Sequence, residues 1–191
     1  MLDRLAASVC GEAAHLHLGV LRGVVLLARH RHQPPAEGRR RDPARHAARG
    51  GLDPGGVLLR AVTKVFPAAA ILDGYELGLR DFGENYVQEF AEKSPGLAGL
   101  EGTRYHLIGH LQSNKAADAA VLFDWVQTVD RTKLIGALGA HRPVDRAPLT
   151  GLLLVTIYDE AGKHACARAD VLTGTTAIVV RRRVSLRGLM A

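Results

Sequence analysis

Three consecutive stretches decide the fold: Val57-Leu58-Leu59-Arg60-Ala61-Val62-Thr63 (VLLRAVT), Pro67 to Gly78 (PAAAILDGYELG), and Arg80-Asp81-Phe82-Gly83. The first is apolar and β-prone and is set off by Gly55-Gly56, so it reads as a strand. Pro67 stands where a helix can begin, and Gly78 closes the run that follows. Residues 80–83 read as a second short strand. The same rhythm continues outward. A helix is expected over 85–93, broken by Ser94-Pro95-Gly96. A third strand follows over 105–109, a helix over 115–122 capped by Ser113, and a fourth strand over 123–129. Asp130 is placed to cap a helix over 131–140. Leu152 to Ile157 (LLLVTI) reads as a fifth strand buried on both faces, and Val184 to Met190 as a sixth. Strand and helix thus alternate about every 25 residues, the pattern of a parallel sheet that is either doubly wound or closed into a barrel. Neither GxGxxG after the first strand nor GxxxxGK[ST] anywhere is present.

Composition bounds the rest. The 191 residues carry 25 Lys+Arg, 19 Asp+Glu and 47% hydrophobic residues, as in a globular chain of one domain or slightly more. Cys10 and Cys166 are too few for a disulfide scaffold and read as free thiols of a cytoplasmic protein. The apolar run from Leu16 to Ala28 contains Arg22 and is shorter than the roughly 20 residues of a membrane span, so no membrane role is expected. Residues 1–60 hold ten Arg, no Lys and five acids. A basic arm suggests nucleic acid, yet no aromatic residue precedes Phe66, so bases cannot stack there. The arm reads as a solvated tail. Its all-arginine basic set, mixed with Ala, Gly, His and Pro, is also what GC-rich DNA translated out of frame would encode.

Functional residues of α/β folds gather at the carboxyl ends of strands. Those ends carry Lys64, Glu84-Asn85, His110 with Gln112, Thr128 with Asp130, Thr156 and Met190. Strand parity puts Leu58, Arg60, Val62 and Lys64 on one face. If that face points inward, Lys64 stands at the mouth, where a desolvated amine can attack a carbonyl. The alternative is a surface lysine. His106, Ile108 and His110 share a face of the third strand, and its two histidines are candidate metal ligands, but without a third ligand they read as satisfied polar residues. Glu84 is expected to cap the next helix or to hydrogen-bond inside the mouth, and Trp125 to lie in the core.

The stretches Ala61-Val62-Thr63-Lys64, Arg80 to Glu89 (RDFGENYVQE), His106 to Lys115 (HLIGHLQSNK), Thr128-Val129-Asp130-Arg131 and Arg187 to Ala191 (RGLMA) stand in this order. Together they resemble the pyridoxal 5′-phosphate homeostasis protein family. The resemblance covers residues 47–166 and 184–191, leaving 1–46 as a basic segment unlike the family and 47–191 as the cofactor-binding part. It implies a (β/α) TIM-type barrel of the alanine racemase amino-terminal type, here with about six of its eight strands. It implies pyridoxal 5′-phosphate as cofactor, held as a Schiff base on Lys64, with Asn85, His110, Thr128 and Met190 lining the cofactor side. It also implies a carrier that serves pyridoxal-phosphate-dependent apo-enzymes without turnover of its own. The phosphate clamp of the family lies beyond the sixth strand, so it is expected to be missing. Arg60 replaces an apolar residue on the Lys64 face, and Leu154 and Thr156 replace a glutamine and an asparagine. The rival readings are a racemase-like enzyme, a non-binding remnant, and a basic nucleic-acid adaptor.

Overall fold

A computed structural model of the chain describes residues 15–21, 24–30, 58–155 and 183–190. Cys10, Cys166, Thr156 and the domain boundary at residue 46 lie outside them. The described chain divides into two compact units, one formed by residues 1–83 with 97–103, the other by 84–96 with 104–191.

In the first unit, β1 (His15–Leu21) and β2 (Val24–His30) form an antiparallel hairpin. β2 then pairs in parallel with β3 (Leu58–Val62), with Leu26 opposite Arg60. The run read as too short for a membrane span is therefore a pair of strands, and it covers an edge of β3. β3 pairs in parallel with β4 (Asp81–Glu84). Between them lies α1 (Ala68–Glu76), which starts after Pro67 as its sequence predicts. Gly78, at φ +89°, ends it by donating its N–H to the Tyr75 carbonyl, a conformation that costs glycine little. Gly74 sits against the Phe82 ring, where a Cβ would be only 2.9 Å away, so helix and sheet are in close contact. The Arg80 guanidinium lies 3.8 Å over the Tyr75 ring.

Arg60 is buried, at 2% exposure. An isolated guanidinium there would be costly. Its register partner Asp81 is equally buried, so the sequence places an opposite charge beside it on the neighbouring strand.

The second unit carries α2 (Val87–Lys93), β5 (Arg104–Leu107), α3 (Ala116–Leu122), β6 (Trp125–Val129), α4 (Thr132–His141), β7 (Leu149–Leu154) and β8 (Val184–Met190). β5 to β8 pair in parallel in chain order. Rings of Phe90, Tyr105 and Phe123 meet at 4.7 and 4.8 Å to form one core cluster. Glu84 is fully buried and receives the Lys93 ammonium at 3.0 Å, which also reaches Glu89. Glu84 thus anchors α2 through an ion pair and does not cap it. Arg142, 2% exposed, donates to the carbonyls of Ala120, Phe123 and Ala147. It closes the end of α3 and the loop before β7. Burial, with Arg146 nearby, lowers its pKa from the ordinary arginine value, and Asp124 opposes this.

All six strands expected from sequence are present, the sixth with its expected ends and the others with ends moved by up to three residues. β7 starts at Leu149, earlier than expected, and alternates between buried and half-buried positions. One of its faces is core and the other is only partly covered, so it is not buried on both. Trp125 is half-buried, with its ring stacked on that of His106. Among the described residues no helix is long and apolar enough to cross a membrane.

Candidate functional site

Lys64 belongs to the first unit. It stands two residues beyond β3 in a tight turn closed by the Phe66 N–H donating to the Thr63 carbonyl at 3.1 Å. Thr63 is buried and donates its own N–H to the Gly83 carbonyl, so the turn is anchored at its first residue. The next residue but one, Val65, has φ +58° and is the one non-glycine residue with positive φ among the described residues. Negative φ at Lys64 followed by positive φ at Val65 is the type II pattern, which favours glycine at the third position. Lys64 is half-buried. Among the described residues its amine has no carboxylate partner.

The other expected residues stand in the second unit, and three of them converge. Asn85 directly follows β4 and is half-buried. The chain leaving β5 crosses its backbone: the Ile108 N–H donates to the Glu84 carbonyl, and a Cβ on Gly109 would overlap the Asn85 carbonyl, 2.8 Å from its carbon. Only glycine allows this approach. Thr128, buried at 6%, donates its hydroxyl to the Gly109 carbonyl at 2.6 Å. Between Val126 and Val129 the β6 register shifts by one residue against β7, a bulge of the kind that re-aims side chains.

His110 follows Gly109 and is exposed, with Nδ1 3.6 Å from a buried Asp130 carboxylate oxygen. β5 ends at Leu107, so His110 does not share a strand face with His106 as expected. The close approach at Gly109 draws the chain out of the strand first. His106 is instead fully buried, with Gln127 3.4 Å from Nδ1. Among the described residues no group of three His, Cys, Asp or Glu side chains could hold a metal ion. Met190, half-buried, ends β8 opposite Leu154, and its carbonyl accepts the Val155 N–H. β7 separates β8 from β6, and no bond links Met190 to the Asn85–Gly109–Thr128 group.

Two expectations for the helix starts are corrected. Asp130 does not cap α4. Its carboxylate is held by Arg131 at 2.5 and 2.6 Å, and no side chain caps that helix. Ser113 does not cap α3: it lies in a 3-10 turn and accepts from Arg131, which also reaches the Leu111 carbonyl. The Asp130–Arg131 pair thus ties the loop after β5 to the end of β6. Sequence reasoning missed this tie, and it missed Gly109. An isolated glycine at a strand exit was the available signal for the latter.

No protein-family profile matches the chain. The pyridoxal phosphate homeostasis proteins of Pseudomonas aeruginosa and Escherichia coli K12 are 44% and 40% identical to it, over 74% and 76% of its length. PipY of Synechococcus elongatus PCC7942, solved without and with pyridoxal phosphate bound, superposes with TM-scores of 0.66 and 0.64 at 38% and 35% identity. The match covers 76% of this chain and 67% and 68% of PipY. The chain belongs to the pyridoxal phosphate homeostasis protein family. It spans 61% and 63% of the length of the two bacterial relatives. As a homeostasis-family protein it has the expected α/β fold, its described strands and helices forming part of a (β/α) barrel. Four of the five stretches that carried the resemblance in the sequence build the Lys64 turn and the Asn85–Gly109–Thr128 group, and the fifth supplies the end of β8 at Met190.

Proposed function

We propose that the chain holds pyridoxal 5′-phosphate reversibly on Lys64. Asn85, His110, Thr128 and Met190 are the residues beside the cofactor. The chain acts in the cytoplasm as a reservoir serving pyridoxal-phosphate-dependent apo-enzymes, without turning over a substrate. The observation that carries this reading is the Lys64 turn. The lysine, half-buried as a residue, stands at a strand's carboxyl end with no carboxylate partner among the described residues, in a family with a member solved with pyridoxal phosphate bound. The cofactor supplies an aldehyde, with which a lysine amine condenses to a Schiff base with loss of water, reversibly. The protein's part is to present the amine: the Thr63–Phe66 bond fixes the turn that carries it.

Adding pyridoxal 5′-phosphate to the wild-type chain and to Lys64→Ala and recording visible spectra tests this. Schiff-base absorbance is expected from the wild type and not from the variant. Equal spectra would remove Lys64 as the attachment point.

A further inference from the structure

Asn85, Gly109 and Thr128 lie on three successive strand ends, and two unusual features bring them together. One is the overlap that any side chain on Gly109 would make with the Asn85 carbonyl. The other is the extra residue in β6 between Val126 and Val129. Thr128 lies within this bulge, and its single hydroxyl proton goes to the Gly109 carbonyl at 2.6 Å. A buried hydroxyl so committed has no proton left to offer a ligand. The peptide it grips joins Gly109 to His110, and the same glycine rests on the backbone of Asn85.

We propose that Thr128 is a positioning residue that acts through Gly109: its hydroxyl presses the β5 exit onto the Asn85 backbone and so sets the directions of the Asn85 and His110 side chains. This rests on the reading that Asn85 and His110 border the cofactor, and it changes the role of Thr128 from lining residue to brace.

The test uses the full chain as wild type, Thr128→Ser, Thr128→Val and Lys64→Ala. Pyridoxal 5′-phosphate is titrated in, and visible absorbance and visible circular dichroism are recorded. Amide hydrogen exchange is followed without cofactor. Thr128→Ser keeps the hydroxyl and should bind as the wild type does. Thr128→Val should bind about fivefold more weakly, the loss that one buried hydrogen bond produces. It should also change the dichroism of the bound chromophore and speed amide exchange at residues 109–111. Three outcomes overturn the brace: Thr128→Val binding and exchanging as the wild type does, Ser and Val variants weakened alike, or an unfolded Thr128→Val beside an unaffected Thr128→Ser. The last would mean that the bond serves the fold and not the site. If the wild type fails to bind, or Lys64→Ala absorbs as the wild type does, the cofactor reading fails by itself. The exchange rates then still decide whether Thr128 holds the 109–111 segment.

Discussion

At the scale of single residues, the one non-glycine residue with positive φ among the described residues stands next to the candidate nucleophile. Val65 is β-branched, has φ +58° and is 75% exposed, so its side chain packs little against the fold. Such a residue stores about 1–2 kcal/mol. Asparagine adopts positive φ more readily. Val65→Asn should therefore raise stability by about 1 kcal/mol, read as a higher urea midpoint with an unchanged slope; an unchanged or lower midpoint would mean that the turn is not strained. Lys64 itself was legible because a strand followed by Thr-Lys and a helix-starting proline places it at a strand end. The strain beside it was not, since a valine after a lysine carries no local sign of a left-handed backbone.

Elements are joined here by a few buried charges. Lys93 binds α2 to Glu84 at the end of β4, and Arg142 binds the end of α3 to the loop before β7 through three carbonyls. Carbonyls left buried without a donor are destabilising. Arg142→Met, close in volume but without donors, should cost about 3 kcal/mol; a loss below about 1 kcal/mol in chemical denaturation would mean that water or relaxation satisfies those oxygens. The elements themselves were readable. Pro67, Gly78, Ser94-Pro95-Gly96 and the apolar spacing mark starts and stops within the chain, and they are local signals. Ser113 and Asp130 were misassigned, and for Glu84 the helix-cap half of its reading failed. Glu84, Ser113 and Asp130 all look like helix caps beside a helix start, yet all three bond to residues that capping rules do not consider.

For the whole molecule, charge is the property that separates a cofactor carrier from a nucleic-acid adaptor. Ten arginines precede residue 61, but no aromatic residue precedes Phe66. Binding to random-sequence duplex DNA should be purely electrostatic, falling steeply with salt to weaker than about 10 μM near physiological ionic strength. Fluorescence polarisation of labelled DNA checks this, and salt-resistant, tighter binding would favour the adaptor. At this scale, too, the sheet holds more than the strand count suggested. The β1–β2 hairpin covers an edge of β3, and nothing in an apolar run interrupted by Arg22-Gly23 says which strand it will join. By itself, the sequence determined the alternation of strands and helices, the family, and a lysine at the end of β3, because apolar period and glycine–proline punctuation act over a few neighbouring residues. Only the tertiary structure decided that Gly109 rests on Asn85, that Thr128 grips Gly109 and that Asp130 pairs with Arg131 near His110. Most of those contacts join residues about twenty positions apart, and they depend on strand register and on one extra residue in β6, which no local pattern encodes.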